Sequence, residues 1–182
     1  MMIYNVGGAN ISPHIKQNIP YVNDAAMAGI AVAIQMGGGV VSGLFFGKMS
    51  EKLKDMVLPI ACSAVFVGFM LISLFASSLI MIFIGIFIAG MSLSLMLPRC
   101  IFAVSTLVDK SASATATVII SSVAPSLGGL LSPQVFTRFE SAVFGDTTIT
   151  RYIVAGCAVV ILALVITVLT LGRRKKGQAG KA

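Results

Sequence analysis

Five long apolar runs divide this chain, and the basic residues between them fall almost entirely on one side. The runs cover residues 25–46, 56–76, 79–105, 112–136 and 152–171. Each is close to the ~20 residues with which an α-helix crosses ~30 Å of hydrocarbon. Lys48, Lys52 and Lys54 follow the first run, Arg99 and Lys110 the third, and Arg173, Arg174, Lys175, Lys176 and Lys181 the last. If the runs cross a membrane alternately, these ten of the 13 basic residues share one face, leaving Lys16, Arg138 and Arg151 on the other. Short loops rich in Lys and Arg stay in the cytoplasm. The pattern predicts an all-α, multi-pass protein of the plasma (inner) membrane, with its C-terminus cytoplasmic and residues 1–23 outside.

Composition excludes the main rivals. The chain is 57% hydrophobic and 10% charged. A soluble helix needs a polar face towards water, and the last run, YIVAGCAVVILALVITVLTL, has none. Its twelve Val, Ile and Leu residues favour the bilayer by roughly 4–7 kcal/mol on the insertion scale. A membrane β-barrel would need alternating strands of about 10 residues, and the runs do not alternate. The net charge of +7 gathers at span ends and forms no stripe, which argues against nucleic acid. The tail RRKKGQAGKA fits an orientation determinant, with membrane lipid headgroups as its partner.

Three segments follow from these runs: residues 1–23, a helical bundle over 24–172, and a basic cytoplasmic tail over 173–182. MMIYNVGGAN is apolar but too short to cross, and reads as the outer end of a helix whose inner part is missing. No signal peptide is recognisable there. ISPHIKQNIPYVND reads as an outer loop broken by Pro13 and Pro20, with His14 exposed within it. The first full span carries Gly39, Gly43 and Gly47 at intervals of four, in line with Ala31 and Gln35. Such stripes let helix backbones approach closely in lipid, either within this chain or against a helix from another half.

The second and fifth runs are plain apolar helices that suit lipid-facing positions. The third holds Gly, Ser and Met residues and meets Pro98, which frees the Ser94 carbonyl. The fourth contains Pro125, Pro133, Gly128 and Gly129 among hydroxyl side chains, with Ser122, Ser126 and Gly129 as a second packing stripe. Broken, hydroxyl-rich helices persist in bilayers where protein or water satisfies the freed groups. These two spans are therefore expected to face a cavity or a neighbouring bundle.

No Asp or Glu lies within any run: Asp24 is at an edge, and Glu51, Asp55, Asp109, Glu140 and Asp146 are in loops. An intramembrane proton relay usually needs such a carboxylate or a His. Arg99, on the inner third of the third helix, is either a substrate or lipid-phosphate contact or a snorkelling side chain. Gln35 either bonds a neighbouring helix or touches substrate. Cys62, Cys100 and Cys157 have no metal or redox spacing and read as packing residues. No catalytic constellation, phosphate loop or metal cluster is recognisable, so neither an enzyme nor a bound cofactor is expected.

GLFFGKMSEKLKD, from Gly43 to Asp55, resembles the loop signature of the major facilitator superfamily, G-x-L-x-D-R-x-G-R-K. Gly43 matches the first glycine, Lys48 the first basic position and Lys52 the last, whereas Gly47, Ser50 and Glu51 depart from the pattern. This is similar to the weaker second copy of the signature that the family carries between its eighth and ninth helices. GMSLSLMLPRCIFAVSTLVDKSASATATVI resembles the tenth helix, inner loop and start of the eleventh, and SLGGLLSPQVF resembles the eleventh in drug-efflux-like members.

The resemblance implies the C-terminal half of a twelve-helix bundle: five full spans after a partial N-terminal helix. Its eighth and eleventh helices would meet an N-terminal half through Gly39, Gly43, Ser122 and Ser126. Its seventh and tenth would line a central cavity, placing Met91, Ser94 and Met96 near a small-molecule substrate. The implied activity is secondary transport of small molecules such as drugs or metabolites, by a chain inactive alone. The partner would be an N-terminal half or a second copy. The other reading of the residues is a small membrane protein serving as an assembly subunit.

Overall fold

The computed structural model describes residues 2–21, 24–53, 56–109, 111–132, 134–135, 138, 142 and 147–179. Lys54, Asp55, Lys110, Pro133, Phe136, Glu140, Asp146 and Lys181 lie outside them. Every regular element among the described residues is helical, and five are long and apolar enough to cross a membrane. The elements are α1 (Met2–Asn18), α2 (Asp24–Leu53), α3 (Val57–Leu74), α4 (Leu79–Leu107), α5 (Ser113–Val118), a π-helical segment (Ile119–Val123), α6 (Ala124–Ser132) and α7 (Thr148–Ala179).

The outer loop expected from Pro13 is helix, because α1 passes straight through that residue. A helix-interior proline costs about 3 kcal/mol or more by leaving a carbonyl four residues back without its donor. Here that carbonyl belongs to Ala9, which is exposed like Pro13, while Val6, Ile11, His14 and Ile15 are buried on another face. Packing of the buried face offsets the defect. The helix then stops where the sequence says it must: the Asn18 side-chain amide donates to the His14 carbonyl, and Pro20 follows.

The stretch from Gly43 to Leu53, read as the start of a signature loop, is the C-terminal part of α2. At 30 residues this helix is about 45 Å long, more than the hydrocarbon requires. Lys48, Glu51 and Lys52 are exposed on its last turns. Likewise Arg173–Lys176, expected as a tail, continue the backbone of α7. Pro98 lies inside α4, which runs on to Leu107.

The fourth span is broken by a wide turn. The Ala124 N–H bonds to the Ile119 carbonyl five residues back, immediately before Pro125. A π-turn of this kind absorbs the misfit between a proline ring and the turn preceding it. This span is the least covered of the five, with 6% of its window buried.

Helix α3, expected against lipid, is the most enclosed, with half of its window buried between α4 and α7. Val57, Ala61, Cys62, Val65, Phe69 and Ile72 belong to its buried face, and Ile60, Ser63, Val67 and Leu74 are exposed. Plain composition therefore did not mean an uncovered helix. On α7, Cys157 is exposed, so it is not the packing residue the sequence suggested.

Glycines fix the core of the bundle, and the tightest backbone contacts fall on glycines outside the expected stripes. A Cβ on Gly38 would strike the Phe87 carbonyl oxygen, and one on Gly90 the Gln35 carbonyl oxygen, so α2 and α4 meet backbone to backbone. Gly68 and Gly85 oppose each other in the same way between α3 and α4, with hypothetical Cβ-to-carbonyl distances of 2.5 and 2.6 Å. The Ser42 hydroxyl donates to the Met91 carbonyl across the first pair at 2.7 Å. Gly47 has nothing within 4 Å of the space a Cβ would fill.

Two outcomes follow for the chain in detergent. Gly38→Ala or Gly90→Ala should destabilise by on the order of 1–3 kcal/mol through overpacking, read as a lower midpoint of thermal unfolding. Gly47→Ala should be neutral or stabilising by up to about 1 kcal/mol through helix propensity.

Candidate functional site

Helices α1, α2 and α4 enclose a cavity of about 560 Å³. Tyr4, Asn5 and Gly8 come from α1; Gln35, Met36, Gly39, Val40 and Gly43 from α2; Gly90, Leu93 and Ser94 from α4. The volume exists because glycine faces it from all three helices. A Cβ on Gly39 would come within 3.0 Å of Ser94 Oγ, one on Gly43 within 3.8 Å of Ser94 Cβ, and one on Gly8 within 3.6 Å of Gln35 Oε1. Met36 and Val40 stand at the open rim, 69% and 65% exposed. Gln35 is buried and hydrogen-bonds Tyr4, while the Asn5 amide reaches the Pro125 carbonyl beyond the π-turn at 3.4 Å. Among the described residues that line it, none is charged.

The residues singled out from the sequence separate into several places. Gln35 and Ser94 lie on the cavity wall, joined by Gly39 and Gly43 of the supposed packing stripe. Met91 does not line the cavity; its backbone takes part in the α2–α4 contact. Met96 packs partly buried against the apolar core. Arg99 stacks over the Phe102 ring at 5.5 Å. Lys48 and Lys52 are exposed beyond the span, and Gly47, Ser122 and Ser126 are uncovered by other elements. Gly129 approaches Asn5, with 3.7 Å from a hypothetical Cβ to Asn5 Nδ2.

A second polar cluster was not foreseen. His14, expected on the surface, is fully buried where α1 runs antiparallel to α7. Its Nδ1 lies 3.0 Å from Thr148 Oγ1, and its ring meets Tyr152 edge-on at 5.1 Å. The Thr148 hydroxyl donates to Gln17 Oε1 at 2.8 Å, which leaves its lone pairs for His14 Nδ1–H. The Tyr152 hydroxyl donates to the Gly7 carbonyl, and Arg151 donates from Nη1 to Asn10 Oδ1 at 2.9 Å, with Arg151 only 8% exposed. The available signal was the spacing of Gly7, Asn10, His14 and Gln17 at three and four residues, a polar stripe on the face that Pro13 seemed to forbid.

This junction clamps α1 to the bundle and so holds one wall of the cavity. Asn10→Leu should cost about 1.5–3 kcal/mol, the range for a hydrogen bond to a charged group. Tyr152→Phe should cost about 1 kcal/mol. Both are measurable as shifts in unfolding midpoint in detergent, and the Asn10 effect should be the larger.

No curated protein and no solved structure matches this chain. The family model described as Major Facilitator Superfamily matches residues 1–182, the whole of it. With five helices of membrane-crossing length and composition, the chain is an integral membrane protein. Its length, its helical bundle and that match agree, and the chain belongs to the Major Facilitator Superfamily of secondary transporters.

Proposed function

We propose that this chain forms the C-terminal half-bundle of a secondary transporter for small organic molecules, a drug- or metabolite-efflux type, and that its cavity is one wall of the substrate path. The observation that carries this reading is the cavity itself. It has the volume of small-molecule sites, it is formed by three membrane helices, and it combines an apolar rim with buried amide and hydroxyl groups. Transporters of this kind bind near the bilayer midplane between repeats and work by rocking one half against the other. A single half has no opposing wall against which to rock.

Orientation follows from charge. The exposed lysines at the end of α2 and the arginines that follow the last span belong on the cytoplasmic side of the plasma membrane. The partner is an N-terminal half or a second copy, set against the uncovered faces of α2 and the fourth span. The second reading, an assembly subunit, draws support from that fourth span, whose Ser122 and Ser126 are exposed.

Vesicles containing only this polypeptide are expected to show no dye flux above protein-free vesicles, and robust efflux would refute the half-transporter reading. Single cysteines at Lys48 and Arg174 should label from the same membrane face. Cysteine at Ser126 should crosslink stoichiometrically to a partner, whereas a chain that stays monomeric in cells counts against both readings.

A further inference from the structure

We propose that the α1–α2–α4 cavity selects uncharged molecules, taking a neutral amphipathic ligand with one or two hydrogen-bonding groups and rejecting ions. The inference rests on the reading that this cavity is where substrate binds, and it adds the chemical class. Among the described residues, four polar side chains reach the cavity, from Tyr4, Asn5, Gln35 and Ser94. Two are amides and two are hydroxyls, so each can both donate and accept. That set complements an amide, alcohol, ketone or ether. It offers no counter-charge to a carboxylate, phosphate, sulfonate or ammonium.

Two arginines carried by the spanning helices are engaged elsewhere. Arg99 stacks over Phe102 further along α4, and Arg151 is buried against Asn10 at the α1–α7 junction. Neither lines the cavity. An ion held against this wall, in this chain by itself, would shed water and gain only neutral dipoles, an exchange that does not repay its desolvation. A neutral molecule gives up far less, and its apolar body lies against Met36, Val40 and Leu93. The floor is lowest at Gly43, where even an added Cβ would stand 3.8 Å from Ser94 Cβ, whereas Gly39 is held close to Ser94 Oγ.

The test uses the full chain in lipid nanodiscs and two fluorescent probes that share a skeleton and differ by one sulfonate. These are neutral N-phenylnaphthylamine and anionic anilinonaphthalenesulfonate, with tetraphenylphosphonium as a cationic competitor and empty nanodiscs as the partition background. The expected result is saturable binding of the neutral probe that the sulfonated probe and the cation compete for at least about tenfold more weakly, a gap of about 1.4 kcal/mol. Gly39→Leu, which fills the floor, should abolish that binding. Val40→Trp enlarges an exposed rim residue without disturbing packing, and should weaken binding at least about tenfold with an unchanged unfolding midpoint.

Competition by the sulfonate or the cation on equal terms, sensitive to both variants, would overturn the charge selection while leaving the cavity as a binding site. Absence of any saturable binding sensitive to Val40→Trp would overturn the cavity reading and the selection with it.

Discussion

Backbone contact at α4 is the constraint on which the bundle depends. In lipid, apolar side chains gain little by leaving one apolar medium for another, so helices associate through close packing and hydrogen bonds. Helix α4 meets that requirement on two sides, through Gly85 against α3 and Gly90 against α2. Five residues apart, these glycines point about 140° from each other around the helix. One helix can therefore touch two neighbours at backbone distance. The cavity is a consequence of this spacing: just past the tight contact at Gly38 and Gly90, the larger Ser94 meets Gly39 and Gly43, and the helices leave a space that α1 closes.

The number of spans, their order and their common helical character were legible in the sequence, because hydropathy over about 20 residues is set by the membrane and not by neighbours. The choice of packing glycine was not. Gly38 and Gly39 are adjacent in a run of three, and a four-residue stripe selects Gly39 when extended through Gly43 and Gly47. The structure uses Gly38, whose position opposite Phe87 depends on how α4 is rotated, a tertiary fact. Gly39 and Gly43 border the cavity beside Ser94, so the stripe was visible, but its tightest backbone contact falls one residue earlier.

The errors at α1 have the same origin. Pro13 and Pro20 argued for a loop, and that is how prolines act when nothing covers them. With α7 beside it, the same segment gains Thr148, Arg151 and Tyr152 as partners, and His14 passes from an expected surface position to full burial. Those partners are 134, 141 and 145 residues away in the chain, beyond any local pattern. Gln35 was recognisable as a candidate because an amide inside an otherwise apolar helix is costly unless something answers it, whereas Ser94 was a candidate only through the resemblance, which put its helix beside a cavity.

The wide turn at Ile119–Val123 has an effect on phase. One additional residue in a helical turn rotates everything after it by about 100°. The C-terminal portion of the fourth span is therefore indexed differently from its N-terminal portion. Gly128 and Ser132 are turned inward, and a straight helix of identical sequence would aim another pair there. Two short cylinders, each with its own facing, share one crossing of the bilayer.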